Sequence, residues 1–207
     1  MKQEDLFNYL TEENGEKERA SVGQALRELK EKTASCRRCK LREGCSQVVF
    51  GEGSPDALLM LIGEGPGRDE DKLGRPFVGR AGKLLDKILE AAGFQREETY
   101  IANVVKCRPS QNRTPLPEEI QACYSHLQEQ INIIRPKIIV CLGAMSAKTL
   151  VDPRAQITKI RGKWVEWQGI QIMPTFHPAA LLRDPQKKKL VWQDFQEVER
   201  EYKRLIT

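Results

Sequence analysis

The sequence lacks the long apolar run that a membrane-spanning helix needs. No stretch approaches the roughly 18 apolar residues that cross a bilayer. Residues 1–5, Met-Lys-Gln-Glu-Asp, also lack the basic region and apolar core of a signal peptide. We therefore expect a cytoplasmic protein that has no membrane partner. In that compartment the six cysteines are expected to be metal ligands or free thiols and not disulfides.

A nucleotide-binding P-loop is also missing. The glycine-rich segment 63–67, Gly-Glu-Gly-Pro-Gly, is not followed by the Lys-Ser/Thr pair of such a loop. The chain also offers no set of carboxylates suited to metal ions. Both absences argue against an enzyme that acts on nucleotides or phosphate esters, which is one alternative that a glycine-rich turn leaves open.

Composition and patterning are those of a globular protein of 207 residues, with 40% apolar and 30% charged residues. We expect a mobile arm or short helix over residues 1–20 and one domain over residues 21–207. The net charge of +5 is compatible with a nucleic-acid partner but does not establish one.

Short apolar segments alternate with segments of helical periodicity. The strands are predicted at 57–62, 100–105, 137–142 and 171–175, and the helices at 22–32, 80–92, 117–134, 143–150 and 186–206. Such alternation is typical of an α/β fold, a three-layer α/β/α arrangement around a central parallel four-stranded sheet. The segments 63–79, 103–113 and 175–183 each begin where a predicted strand ends. Because ligands bind beyond the carboxyl ends of such strands, we expect one active site there.

Four of the cysteines form two pairs, Cys36-x2-Cys39 and Cys107-x15-Cys123. Four thiolates from distant segments can hold an iron–sulfur cluster or a zinc ion, and the sequence alone does not separate the two. Cys45 is a possible competing ligand, and Cys141 is expected to be buried within a strand.

The order of the motifs resembles that of family 4 uracil-DNA glycosylases. The motifs are the cysteine pairs, Gly63-Glu-Gly-Pro-Gly67, Gly74-Arg-Pro-Phe-Val-Gly79, Asn103 and His177-Pro-Ala-Ala-Leu-Leu-Arg183. The resemblance covers about residues 33–200 and implies hydrolysis of the bond between uracil and deoxyribose in DNA. It also implies a [4Fe–4S] cluster, in preference to zinc, on Cys36, Cys39, Cys107 and Cys123.

The resemblance implies roles for the remaining motif residues. Glu64 would stabilise the sugar cation or orient water, and His177 would stabilise the charge that develops on the leaving base. The residues expected to bind uracil are Gly63, Gly65, Phe77, Asn103 and His177, with Phe77 stacked on the base. The residues expected to contact DNA are Arg108, Arg113, Arg183 and either Leu181 or Leu182, of which we favour Leu181.

The sequence also departs from related enzymes in ways that limit its chemistry. A related subgroup carries an inserted basic loop and bonds covalently to DNA, but here Gly79-Arg-Ala-Gly82 continues directly into a predicted helix. No lysine is assigned as a nucleophile, so we expect a monofunctional glycosylase without abasic-site lyase activity. We also expect the enzyme to be a monomer. The main alternative is a nucleic-acid-binding module with a metal site, although such a module does not need Glu64, Asn103 and His177 together.

Residues 3–7, Gln-Glu-Asp-Leu-Phe, resemble the peptide by which bacterial repair proteins bind the sliding clamp. In a mobile arm, the Leu-Phe pair can enter a pocket of such a partner. The alternative is that this segment is part of a short amphipathic helix that docks on the domain.

Overall fold

A central sheet lies between two layers of helices in the computed structural model, which describes residues 3–207 and the side chains from residue 19 onward. The strands are β1 (Glu52–Gly53), β2 (Leu59–Gly63), β3 (Tyr100–Asn103), β4 (Ile138–Leu142), β5 (Val165–Trp167) and β6 (Ile170–Thr175). The helices are α1 (Gln3–Ala34), α2 (Leu41–Gly44), α3 (Arg68–Leu73), α4 (Arg80–Ala91), α5 (Pro117–Ile134), α6 (Ala144–Leu150), α7 (Ile157–Ile160), α8 (Pro178–Arg183) and α9 (Lys187–Ile206). The predicted α/β class is confirmed.

The sheet has six strands in the order β1-β3-β2-β4-β6-β5. The four inner strands are parallel, as predicted, whereas β1 and β5 are antiparallel edge strands. The predicted number of four strands is therefore wrong. The edge strands are two and three residues long, too short to show a period-two pattern. The turn between β5 and β6 has positive φ at both Gln168 and Gly169, as tight hairpins require.

The inner strands are buried on both faces, which explains why they are continuous apolar runs in the sequence. In β2, Leu59 and Leu61 pack against the layer that contains α4, α8 and α9. Met60 and Ile62 pack against the opposite layer, which contains α1, α5 and α6. The core thus lies on both sides of the sheet and leaves its carboxyl edge for a site.

The winding of the chain reverses beside β2. From β2 the chain moves to β3 on one side, and it then returns to β4 on the other side. In parallel sheets a crevice forms at the carboxyl ends of the strands beside such a reversal. The segments that follow β2, β3, β4 and β6 all meet at this edge.

Helix α1 includes the predicted helix over residues 22–32 and extends it at both ends. It packs on α5, where Thr33 Oγ1 lies 3.1 Å from His126 Nδ1.

The side chains of residues 3–7, with the clamp-like motif, lie outside the described side chains. The mobility of residues 1–20 and the single domain over 21–207 stay predictions. Within the described part of the chain, no helix is both long and apolar enough to cross a membrane.

Two helical glycines provide a test of this packing. An ideal Cβ on Gly82, in α4, would lie 1.8 Å from the carbonyl oxygen of Phe77, so Gly82→Ala must displace the helix from that turn. We expect Gly82→Ala to lower the free energy of unfolding by about 1–3 kcal/mol, as overpacking does. An ideal Cβ on Gly23, in α1, would contact only Arg27 Nη1, at 3.5 Å. Gly23→Ala should therefore raise the free energy of unfolding by about 0.5–1 kcal/mol. Urea unfolding measures both changes, and equal stability of the two variants would contradict the assigned packing.

Candidate active site

A cleft of about 610 Å³ opens at the carboxyl edge of the parallel strands. Its walls come from the segments that follow β2, β3, β4 and β6, so the structure brings the three predicted segments together. The predicted site residues that line the cleft are Glu64, Gly65, Phe77, Asn103, Arg113, His177 and Arg183. Gly63 lies directly behind this surface.

Gly63 makes room for two of these side chains. It pairs with Asn103 in the parallel register of β2 and β3. An ideal Cβ on Gly63 would lie 2.5 Å from Asn103 Oδ1 and 2.6 Å from Phe77 Cζ. A larger residue would therefore push both side chains out of position, so glycine is required for close approach at this point.

The amide side chain of Asn103 is an open binding position. Asn103 is 2% exposed, and its Oδ1 atom has no hydrogen-bond partner among the described residues. Buried polar atoms are nearly always paired, and an unpaired one calls for an explanation. A ligand N–H group in the cleft would supply the missing donor, while the amide NH₂ group would donate to a neighbouring acceptor.

Phe77 forms an aromatic wall of the cleft. Its backbone has φ of 50°, a left-handed conformation that is uncommon for a residue with a side chain. Its ring stacks on the imidazole of His177, with ring centroids 5.5 Å apart and planes inclined by 29°. The turn is held from outside by Arg96, which donates to the Pro76 carbonyl at 2.7 Å and pairs with Glu52.

His177 is the N-cap of α8, and this role fixes its tautomer. Its Nδ1 atom accepts a hydrogen bond from the Ala179 N–H at 3.1 Å. Burial lowers the pKa of His177 to about 4, and nearby Arg183 adds to the effect. The ring is therefore neutral at pH 7 and carries its proton on Nε2, which makes it a hydrogen-bond donor at the cleft.

Glu64 places a carboxyl group in the same cleft, immediately after β2. The side chain is half-buried, and burial raises its pKa above the ordinary value. The backbone around it is well ordered by the sheet, because Val104 N–H donates to the Gly63 carbonyl and Val105 N–H donates to the Glu64 carbonyl. A desolvated carboxylate held in this way interacts strongly with any positive charge that forms beside it.

Glu70 is a site residue that the sequence analysis missed. Its Oε1 atom accepts hydrogen bonds from the N–H groups of Val78 at 3.0 Å and Gly79 at 2.8 Å, and Oε2 accepts from Gly67 N–H at 3.1 Å. One carboxylate therefore joins the two glycine-rich segments. The available signal was a glutamate three residues after Gly67, the position at which a carboxylate reaches back to the start of a helix.

The residues predicted to contact DNA differ in exposure, in their position relative to the cleft and in their hydrogen-bond partners. Leu181 is 1% exposed and packs in the core, whereas Leu182 is 41% exposed, so only Leu182 is accessible to a partner. Arg183 is exposed and lines the cleft. Arg113 also lines it, but its guanidinium makes two hydrogen bonds to Glu119, at 2.6 and 2.8 Å. Arg108 lies in an adjoining groove.

The four predicted cysteine ligands line one cavity on the other side of the segment that follows β3. Cys36, Cys39, Cys107 and Cys123 all contribute to its wall, with His126 beside them. Cys45 lies next to Cys107 but is not part of this lining, and Cys141 is fully buried in β4.

The surroundings of this cavity act on its thiols in two opposite directions. The Lys106 N–H donates to Cys123 Sγ at 3.3 Å, and Arg38 Nε donates to Cys36 Sγ at 3.5 Å. Burial raises the pKa of the Cys39, Cys107 and Cys123 thiols, and nearby thiols raise the pKa further. Bound positive charge would offset this cost. Among residues 19–207, no three His, Cys, Asp or Glu side chains are grouped so as to hold a single metal ion.

Known proteins with similar sequences bear on this arrangement. The Uracil DNA glycosylase superfamily profile matches residues 50–196. The Type-4 uracil-DNA glycosylase of Thermotoga maritima is 51% identical over 156 residues, which cover 74% of this chain and 81% of that protein. The Type-4 enzyme of Sulfurisphaera tokodaii is 46% identical, covering 84% of this chain and 83% of that protein. For the Type-4 enzyme of Archaeoglobus fulgidus the identity is 41%, with 79% and 86% covered. The resemblance seen in the motifs is confirmed, and this chain belongs to the uracil DNA glycosylase superfamily.

Proposed function

We propose that this protein is a uracil-DNA glycosylase, which hydrolyses the N-glycosidic bond of deoxyuridine in DNA, releases uracil and leaves an abasic site. The observation that carries the proposal is the buried Oδ1 atom of Asn103, which has no partner within the described part of the chain and lies in a cleft with an aromatic wall. The identity of 41–51% to Type-4 uracil-DNA glycosylases over most of the chain supports the same activity.

Base recognition follows from the polarity of the Asn103 amide. Uracil N3–H donates to Oδ1, and uracil O4 accepts from the amide NH₂ group. Cytosine has an acceptor at N3 and an amino group at C4, so it matches neither position. The extruded base stacks on the Phe77 ring, and the absence of a side chain at Gly63 lets that ring and the Asn103 amide take up their positions beside it.

The chemical step breaks the bond between C1′ and N1, and its electron pair passes to uracil as the negative charge spreads to O2. The His177 Nε2–H stabilises that charge in the manner of an oxyanion hole. The sugar becomes an oxocarbenium-like cation, which the Glu64 carboxylate stabilises from the opposite side. Water then adds to C1′ and loses a proton, which Glu64 accepts, and the uracil anion takes up a proton after its release.

Extrusion of the nucleotide costs a few kcal/mol, which contacts with DNA must offset. The exposed Leu182 is the better candidate to fill the vacated space in the base stack, since Leu181 is buried. Arg183, which is exposed and lines the cleft, binds a phosphate at the mouth in this proposal. Arg113 is shared with Glu119, so it contributes less free charge than the sequence suggests.

We also propose that Cys36, Cys39, Cys107 and Cys123 hold a [4Fe–4S] cluster. Their common cavity and the hydrogen bonds to Cys36 and Cys123 support a four-thiolate site, and the resemblance to family 4 enzymes favours the cluster over zinc. When bound, the cluster would join the segment after α1 to the segment between Cys107 and Cys123. It would thereby fix the positions of Arg108 and Arg113.

The remaining proposals concern the setting of the enzyme. We expect it to act as a monomer in the cytoplasm, in association with the nucleoid, and to lack abasic-site lyase activity because no lysine is assigned as a nucleophile. Binding of a sliding clamp by residues 3–7 stays a prediction from the sequence.

Replacement of the two catalytic residues tests the mechanism. We expect His177→Asn to lower the single-turnover rate of uracil release about 10²- to 10³-fold, and Glu64→Gln about 10²- to 10⁴-fold. Both should leave the Kd for uracil-containing oligonucleotides within about threefold of wild type, since the interactions strengthen mainly in the transition state. Glu90→Gln is the control, because it removes one negative charge from an exposed side chain, as Glu64→Gln does in the cleft. Full turnover by both His177→Asn and Glu64→Gln would refute the mechanism.

The pH dependence separates the two groups. The Glu64 pKa is raised, so the wild-type rate should fall as the pH drops through that pKa and the carboxylate is protonated. In Glu64→Gln this loss should vanish, leaving only a fall near pH 4, where the His177 imidazole takes up a proton. An unchanged acid limb in Glu64→Gln would show that another group controls it.

Removal of single thiols tests the cluster. Wild-type protein purified without oxygen should be brown and contain about four iron atoms per chain. Cys107→Ser should lose most of the iron and the visible absorption, whereas Cys45→Ser should retain both. If the wild-type protein were colourless and contained one zinc ion per chain, the four cysteines would hold zinc and not an iron–sulfur cluster.

Glu70 is expected to hold the cleft in its active geometry. Glu70→Gln keeps one acceptor oxygen and puts an NH₂ group, which cannot accept, at the other position. Charge-assisted hydrogen bonds worth about 1.5–3 kcal/mol each are therefore weakened or lost, and the free energy of unfolding should fall by about 1–3 kcal/mol. The amides of Gly67, Val78 and Gly79 should exchange with solvent faster, which hydrogen exchange measures directly. Glu90→Gln should change neither quantity. If these three amides were as well protected from hydrogen exchange as in the wild type, Glu70 would not be what holds the two segments.

A further inference from the structure

A second groove, of about 380 Å³, adjoins the base cleft. The two share wall residues, among them Gly67, Glu70 and Ala81, so a bound strand can pass from one to the other. The groove carries three arginines from separate parts of the chain, namely Arg68 in α3, Arg80 in α4 and Arg108 after β3.

We propose that this groove binds a backbone phosphate of the DNA strand that carries the uracil, next to the extruded nucleotide, and that Arg68, Arg80 and Arg108 are its ligands. The proposal rests on the proposed glycosylase function, because it concerns the strand whose base enters the cleft.

The charge of the groove is the first argument. Its walls include two carboxylates, Asp69 and Glu70. Both oxygens of Glu70 are occupied by backbone N–H groups, and the one ion pair that Asp69 makes with a described side chain is a long contact of 3.8 Å with Arg68. Three guanidinium groups therefore face two carboxylates, one of which is fully engaged. An excess of positive charge beside the cleft attracts a polyanion.

The hydrogen-bonding capacity of the arginines is the second argument. Among the described side chains Arg80 has no carboxylate partner, and Arg108 donates from Nε only to the neutral Oδ1 of Asn112, at 2.7 Å. By contrast, the guanidinium of Arg113 is held by Glu119, and that of Arg96 is held by Glu52 and Asp86. The groove therefore contains guanidinium groups with free N–H donors. Two N–H groups of one guanidinium can donate to two oxygens of the same phosphate.

Covalent continuity is the third argument. If the base lies in the cleft against Phe77, its deoxyribose lies at the mouth, and the next phosphate is attached directly to that sugar. Since Gly67 and Ala81 belong to both the cleft and the groove, an adjacent phosphate of the same strand is within reach. The complementary strand has no such attachment to the extruded nucleotide.

Single-phosphate neutralisation tests the inference. Single-stranded oligonucleotides with one dU carry one methylphosphonate, placed in turn at each linkage on both sides of the dU. With wild-type protein we expect neutralisation at one linkage adjacent to the dU to weaken binding about 5- to 20-fold. In Arg68→Ala and Arg80→Ala that loss should shrink below about twofold, while effects at other linkages persist. The slope of log K against log salt should also fall by about 0.7 for each lost contact.

Arg200→Ala supplies the matched control, because this α9 residue is 72% exposed, pairs with Glu197 and loses the same charge. It should keep the full wild-type effect of neutralisation, and thermal unfolding checks that all variants are folded. Arg80→Lys, which keeps the charge but not the paired donors, should give an intermediate effect.

The outcomes separate this inference from the proposed function. If wild-type protein releases uracil but the same linkage stays sensitive in Arg68→Ala and Arg80→Ala, the groove does not bind that phosphate. A sensitivity that appears only in duplexes, on the complementary strand, would assign the groove to that strand and overturn the proposal. Failure of wild-type protein to release uracil from the unmodified oligonucleotide would instead refute the glycosylase assignment.

Discussion

A fully buried ammonium group, that of Lys106, joins the two sites of the molecule. Its Nζ atom donates to the backbone carbonyl of Asn103 at 2.8 Å and to Gln130 Oε1 at 2.5 Å, while its backbone N–H donates to Cys123 Sγ. Burial lowers the pKa of Lys106 to about 8. A buried charge costs several kcal/mol unless it is compensated, so these contacts constrain the segment 103–107 strongly. Asn103 at the cleft and Cys107 at the thiol cavity are thereby placed by one short segment.

Gln130 extends this constraint across the fold. Its Nε2 atom donates to the Phe50 carbonyl at 2.9 Å and to the Tyr100 hydroxyl at 3.0 Å, so α5 is connected to β3 and to the segment before β1. Cys123 lies on the same helix, two turns earlier. A cluster bound between Cys107 and Cys123 would therefore hold α5 against the end of β3. The rigidity of the base cleft would then depend on a group that takes no part in the chemistry.

Much of this architecture could be predicted from the sequence, and the limits have physical causes. The inner strands are apparent because each is a buried apolar run at whose end the chain turns, whereas β1 and β5 are too short to show a period. Cysteine spacing identifies the thiol cavity, but Glu70 and Lys106 act through hydrogen bonds to segments that only the fold brings near. The sequence does not separate Leu181 from Leu182, because the six residues of α8 are too few to fix which face is buried; the structure buries Leu181 and exposes Leu182.

Burial at the cleft acts on two groups with opposite consequences. It raises the pKa of Glu64, since the carboxylate loses hydration, and it lowers the pKa of His177, since the imidazolium would lose hydration too. In the proposed mechanism the first shift marks a poorly hydrated carboxylate, which a sugar cation formed beside it would stabilise. The second keeps His177 neutral, which preserves the hydrogen bond that Nδ1 accepts from Ala179 and holds the remaining proton on Nε2. In that mechanism positive charge grows on the sugar and negative charge on the base as the glycosidic bond breaks, so both groups would gain interaction energy at the same moment. Water between these groups would screen both interactions, so the exclusion of water by the base stacked on the aromatic wall at Phe77 is part of the proposed catalysis.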